Sequence, residues 1–397
     1  MSTMKARSRA LLAAAALALG VAVPALAQET IKVGVLSQDT GPFAQNGEGF
    51  HRGIQAYQAL YGDTVGGRKV QFVFRDIGGT NPAAGKRLAE ELIGRDKVQV
   101  LAGFALSSEA LAVGKLVEDT KTPAVSFIAS SPAILSASQY FLKSGQHISQ
   151  SSSAGAIFAR KQGKERCYVV VSDYQPGWDA QHSFSKTFKE QGGTIVGAAR
   201  VPLNTVDFAS IVERIAQANV DCINVFVPPG APAIGLLRAM AERGLVARDF
   251  VVGMGEAEDH VLPQYDDSVI GFNGALYYAE GLDNPENKKF VAKLKELFGP
   301  DILPEFAAAS AFDGVHLIYA MIQSQEGKKW DGPAAVNAVK GLSWNGVRGP
   351  ITVDPKTREL VQNIYLRRVE KINGKLENVV VDQLNNVNAP SADWMKE

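Results

Sequence analysis

Short apolar runs alternate with stretches of three-to-four-residue apolar spacing along most of the chain. The clearest instance is residues 98–132. VQVLAGF and TPAVSFIASSP read as strands, and between them Leu106, Ala110, Val113 and Val117 recur at helical spacing. Strand, helix and strand in this order predict a parallel pair with a right-handed crossover. Both runs end in hydroxyls, Ser107 with Ser108 and Ser130 with Ser131. In open α/β sheets, ligands bind outside the carboxyl ends of the strands, where helix N-termini converge. Such ends favour a small carboxylate. Serine there is also a common helix cap, so the spacing alone leaves both readings open.

The same rhythm fills the rest of the chain. IKVGVL (31–36) and VQFVFRD (70–76) predict strands, separated by a Gly-rich loop and a helix over about 50–61. Asn81 and Pro82 open a helix to about 94, the first as cap and the second at the first helical position. Residues 140–153 are polar, hold five serines and have no period, which predicts a first crossing between domains. The alternation then resumes with a helix to about 162, CYVVVSD, the loop YQPGWD, and a helix over 180–191. TIVGAARV, a helix over 208–218 capped by Asp207, CINVFV, the loop PPGAP, and a helix over 233–243 follow. DFVVGM and the acidic loop GEAED close this array.

GFNGALYYA predicts a strand that crosses back, followed by helices over 284–298 and 305–325. His316 lies near the apolar face of the second, as a core or edge histidine. A short helix over 330–341 precedes the Gly-Pro-rich segment 344–355, read as the third crossing. NIYLRRVE and KLENVVVDQ form a hairpin about Asn373-Gly374. Two successive β/α arrays predict an α/β protein of two doubly wound, parallel-sheet domains. The expected lobes are 28–147 with 278–349 and 148–277 with 350–385, leaving 386–397 as a tail.

Composition adds the compartment. Lys5, Arg7 and Arg9 precede an apolar run over residues 10–23, and Ala25-Leu26-Ala27 is a small-x-small signal. This predicts a signal peptide cleaved after Ala27 and a periplasmic product. The run is too short to span a bilayer comfortably. Losing three basic residues from a balanced 41 and 41 leaves a net charge of about −3, which argues against nucleic acid as a partner. Cys167 and Cys222 each open a predicted strand, level with one another if the strands are neighbours. In an oxidising compartment they are either a disulfide or two buried thiols.

No nucleophile elbow, HExxH or phosphate-loop motif occurs, two cysteines and five histidines show no metal spacing, and no cofactor is expected. Glu256, Glu258 and Asp259 cluster in one loop, which reads as solvated or ligand-facing ahead of a catalytic pair. An exported two-domain protein without catalytic residues points to a binder with its ligand between the domains.

IKVGVLSQDTGPFAQNG, AGFALSSEALA with VSFIASSP, DFASIVERIAQANVD and NKKFVAKLKELFG stand in an order that resembles the periplasmic binding proteins of the branched-chain amino-acid type. The resemblance covers 31 to about 383. It implies two flavodoxin-like lobes joined by three crossings, the type I periplasmic-binding fold. It also implies service to an ABC importer by docking on an inner-membrane permease, without catalysis; a monomer is expected. A stand-alone receptor for a membrane signalling partner is the alternative.

By the same resemblance, the family's carboxylate-holding serine falls on Ser107, with Ser108 beside it. Its backbone-and-hydroxyl pair falls on Ala129 and Ser130. The first-loop aromatic falls on Asn46, a departure. The second lobe's tyrosines fall near Pro176 and Pro229, with Tyr174 placed to compensate for the first. The acidic partner of a ligand ammonium falls on Gly255, with Glu256 one position late. An ammonium buried without a carboxylate costs several kcal/mol. A hydrophobic amino acid and an aromatic acid, such as a benzoate or cinnamate relative, therefore stand level. Phe43, Phe104, Phe127, Tyr174 and Trp178 lie near the strand-end loops and could stack on an aromatic ligand, Phe104 and Phe127 reading more as core.

Overall fold

A computed structural model describes residues 29–389. The signal segment 1–27, its cleavage point after Ala27 and the last residues of the tail lie outside the described residues.

The chain opens with β1 (Thr30–Ser37), α1 (Ala44–Tyr61), β2 (Thr64–Val65), β3 (Arg68–Asp76) and α2 (Pro82–Gly94). β4 (Val100–Gly103), α3 (Ser107–Thr120), β5 (Ala124–Ser126), α4 (Ala133–Ala137) and β6 (Phe141–Lys143) follow. These strands form one sheet in the order β2-β3-β1-β4-β5-β6, parallel apart from β2. The chain then enters a second array. It runs through α5 (Ile148–Lys161), β7 (Arg166–Ser172), α6 (Gln175–Glu190), β8 (Thr194–Val201) and α7 (Ala209–Gln217). β9 (Cys222–Phe226), α8 (Ala231–Glu242), α9 (Leu245–Arg248), β10 (Phe250–Gly253) and β11 (Asn273–Leu276) complete it.

Strands β8-β7-β9-β10-β11 are parallel and repeat the order β3-β1-β4-β5-β6 of the first sheet. Each lobe thus has the flavodoxin-like strand order. α10 (Pro285–Phe298) and α11 (Phe306–Gln323) return to pack on α1, and α12 (Gly332–Ala338) packs on α11. Antiparallel β12 (Ser343–Gly346), β13 (Gly349–Val353), β14 (Leu360–Ile372) and β15 (Lys375–Val387) then widen the second sheet beside β11. Among the described residues, no helix is long and apolar enough to cross a membrane.

Local chemistry explains the boundaries that matched. Asn81, Asp207 and Asn284 each accept a first-turn amide, from Ala84 (3.0 Å), Ala209 (3.0 Å) and Asn287 (2.8 Å). Strands such as β4 and β9 are buried throughout, as parallel strands covered on both faces require. Cys167 and Cys222 sit level on the adjacent strands β7 and β9, Cα–Cα 4.4 Å, and form a disulfide.

Three segments differ from the sequence reading. α1 begins six residues early because Gly47, read as a loop signal, is a contact point: a β-carbon there would strike the Gln38 carbonyl. The polar stretch 140–153 is not a long linker. It holds β6 and the start of α5, and only 144–147 cross. Its polar groups are buried because partners from far along the chain satisfy them, as where Gln150 Nε2 donates to the Leu360 carbonyl (2.6 Å). Residues 344–355 are the β12–β13 hairpin, and β12, expected in the first lobe, pairs into the second sheet.

The first two crossings and the turn of the β12–β13 hairpin meet on α11. Ser144 Oγ donates to the Ser310 carbonyl (2.8 Å), Tyr277 hydroxyl meets Ser310 Oγ (2.5 Å), and Arg348 Nε donates to Asp313 Oδ2 (2.8 Å). The Val347 amide donates to the other Asp313 oxygen (3.3 Å), and the Arg348 guanidinium lies over the Tyr277 ring (4.5 Å). Asp313 and Arg348 are 1% and 0% exposed, so this is a fully buried ion pair linking the lobes.

Candidate functional site

The carboxyl ends of both sheets face each other across a cavity of about 80 Å³. That holds a handful of waters or one small molecule, given roughly 10–15 Å³ of such volume per water. The first lobe contributes Phe43 and Asn46 at the start of α1, Leu106 at the start of α3, Ile128 and Ser130 after β5, and Gln146 at the first crossing. The second lobe faces them with Tyr174, Phe226, Pro229 and the Met254-Gly255-Glu256 turn; Phe306, at the start of α11, closes one side. The wall is mostly apolar, with few polar groups converging on it, as small-molecule sites are. Tyr174 and Phe226 are parallel at 6.2 Å between ring centres.

The lobes are closed over this cavity. Ser131 Oγ donates to Asp179 Oδ2 on α6 (2.8 Å), both fully buried. At the opposite rim His260 Nε2 meets Gln45 Oε1 (3.2 Å). Burial pushes the His260 imidazole down to about 4.

Of the residues singled out from sequence, Phe43, Asn46, Ser130, Tyr174, Pro229, Gly255 and Glu256 line the cavity together. Ser107, Ser108 and Ala129 do not. Ser107 stands one layer back, its Oγ accepting from the Ser131 amide (3.2 Å), so it sets the loop that carries Ser130. It is the first helical residue of α3, and Leu106 occupies the cap position. The Ala129 amide is spent on the Phe104 carbonyl (3.0 Å). Phe104 and Phe127 are core, while Trp178 lies on the surface, its indole N–H on Asp173 (2.7 Å) and Arg200 over its ring (5.6 Å).

In the acidic loop the two glutamates are buried, Glu256 at the cavity wall, and Asp259 is half-exposed. Glu256 is 1% exposed, and its two carboxylate oxygens accept from the Val227 amide (3.1 Å) and the Met254 amide. Burial pushes its carboxyl up to about 7, against those two amides. Glu258 is paired with the buried Arg367, and Asp259 accepts from the Asn378 amide (3.0 Å). His316 is half-buried, stacked on Trp344 (5.2 Å) and bonded to the Tyr57 hydroxyl (3.2 Å), as an edge histidine.

Sequence reasoning missed Phe226, Gln146 and Phe306. Phe226 ends an apolar strand, and that position, just before PPGAP, was the available signal. Gln146 hid in the polar stretch, and Phe306 comes from a helix remote in sequence. A wider groove of about 1300 Å³ runs between α10 and the β14–β15 turn. It lies open to solvent between unlike charges such as Lys288 and Glu377, whereas the smaller cavity lies where the carboxyl ends of the two sheets meet and is the candidate site. Among the described residues, no group of three or more His, Cys, Asp or Glu side chains could hold a metal ion.

A family model described as periplasmic binding protein matches residues 30–375. The chain is 37% identical over 353 residues to a protein of Brucella melitensis named Leu/Ile/Val-binding protein homolog 6, covering 88% of this chain and 90% of that one. A solute binding protein of an ABC transporter from Rhodopseudomonas palustris HaA2, solved with p-hydroxybenzoic acid, superposes with a TM-score of 0.87 at 38% identity, covering 91% and 98%. Another, from Rhodopseudomonas palustris BisB5 with 3,4-dihydroxy benzoic acid, superposes at 0.85 with 37% identity, covering 91% and 99%.

Proposed function

The chain belongs to the periplasmic binding protein family and is a solute-binding protein of an ABC transporter; from that premise we propose that its solute is an aromatic acid of the benzoate class. One observation carries the choice over an amino acid. Glu256, the acidic residue of the lining, has both carboxylate oxygens held by backbone amides and its carboxyl pushed up to about 7 by burial, so it is a poor partner for an ammonium. An ammonium buried there without a full counter-charge would cost several kcal/mol. Phe43, Tyr174, Phe226 and Phe306 supply walls that suit a planar ring. Ser130 and the positive end of α3 suit its carboxylate.

In this reading the protein works in the periplasm after cleavage behind Ala27. It closes on the acid without altering it and delivers it as a monomer to an inner-membrane permease. The ligands of the two Rhodopseudomonas proteins support this solute class.

Saturation with 4-hydroxybenzoate at 100 times its Kd is expected to raise unfolding stability by about 2.7 kcal/mol. Calorimetry measures the shift, and chromatography should recover the acid unchanged. Stabilisation by leucine and not by benzoates would return the amino-acid reading, and consumption of the acid would make the protein an enzyme.

Ser130→Ala is expected to weaken acid binding by about 1–3 kcal/mol. Ser107→Ala should cost less, since it acts only through the Ser131 amide. Titration calorimetry on both variants gives the order, and the reverse order would move the carboxylate to Ser107.

A further inference from the structure

Gln146 is 9% exposed, and its Oε1 has no hydrogen-bond partner although it is wholly buried. The residue lines the cavity at the crossing between the lobes. Its neighbours are held outside. A β-carbon on Gly145 would strike the Phe127 carbonyl, the Gly145 carbonyl accepts from Gln362 Nε2 (3.3 Å), and His147 Nδ1 accepts from the Ser149 amide (3.1 Å). The backbone on either side of Gln146 is thus held in place.

A buried acceptor left unpaired is costly and calls for a donor. Within an aromatic acid the ionised carboxylate offers none, whereas a ring hydroxyl does. Resting on the aromatic-acid reading above, we infer that Gln146 determines specificity for ring-hydroxylated acids, its Oε1 accepting a hydrogen bond from the ligand hydroxyl. The carboxylate then lies at Ser130 and the start of α3, away from an oxygen that would repel it. A site built around such an acceptor discriminates strongly against the analogue lacking the donor, because that analogue leaves the acceptor unpaired.

The test is titration calorimetry of the full mature protein with benzoate, 3-hydroxybenzoate, 4-hydroxybenzoate and 4-aminobenzoate. The wild type should bind the better hydroxybenzoate at least about tenfold tighter than benzoate. 4-Aminobenzoate, whose amine also donates, should keep part of that preference. In Gln146→Leu, close in volume but without an acceptor, the ratio of hydroxybenzoate to benzoate affinity should collapse to about unity. Gln146→Ala gives an independent measurement of the same ratio, which is taken within each protein and so cancels general loss of stability. A preference unchanged in both variants overturns the inference. An equal loss for benzoate and hydroxybenzoate also overturns it, by putting the amide on the carboxylate. If the wild type binds leucine and no benzoate, the aromatic-acid reading falls first and this inference with it. If it binds benzoate and hydroxybenzoates equally, that reading stands and only the role of Gln146 fails.

Discussion

Replacing Asp313 with alanine is expected to cost about 3–5 kcal/mol of folding stability, the largest single effect anticipated in this molecule. The fully buried carboxylate takes the Arg348 guanidinium and the Val347 amide. Burial pushes the Asp313 carboxyl up and the Arg348 charge pulls it back down. Removing the acid leaves a guanidinium with no counter-charge, held only by Gln362 (3.1 Å) and the Tyr277 ring. The penalty comes from that orphaned cation and not from the worth of the pair. The double variant Asp313→Leu with Arg348→Met should therefore be much milder, since a buried pair can be exchanged for packed apolar groups at little cost. Urea denaturation of the three proteins decides it. A loss below about 1 kcal/mol for Asp313→Ala would mean that solvent reaches Arg348.

Opening the disulfide should cost about 4 kcal/mol. Cys167 and Cys222 are 55 residues apart in sequence, and closing a loop of that length in the unfolded chain accounts for roughly that amount. The bond joins the second residue of β7 to the first of β9 in the middle of the second sheet. Cys167→Ala with Cys222→Ala, or the wild type under a reductant, should show the same drop in unfolding midpoint. The loss should fall on folding and leave the affinity for the acid nearly unchanged, because the strand-end loops that line the cavity lie at the other end of those strands. An unchanged midpoint on reduction would show that the thiols pack equally well apart.

The alternation of strands and helices was legible because each is a local matter: a short apolar run, a cap such as Asn81, a turn such as Asn373-Gly374. The level pairing of the two cysteines was legible for the same reason, as each opens a strand. What resisted reading depends on residues far away in the chain. Gly47 looked like a turn until the Gln38 carbonyl was found against it. Nothing near Lys143 in the chain signals the Glu359 carboxylate it meets, 216 positions on, at 3.4 Å. Glu256 does line the cavity, but the two backbone amides that hold it come from Val227 and Met254, and the Val227 bond has no local sign. Ser130 was identified through its place after a strand, but its partner Ser107 proved to be a brace behind it. The cavity residues named above come from eight separate segments, and no local pattern ties Phe226, Gln146 and Phe306 to one another.

The attachment of Ser144, Tyr277 and Val347-Arg348 to one helix has a mechanical consequence. A body whose three tethers are bolted to a single rod swings like a door on one pin, not like a ball in a socket. Solute-free and solute-bound forms should then be related by rotation about one axis. A transporter reading the shape from outside would receive a single angle, set by whether the Ser131 and Asp179 side chains have met.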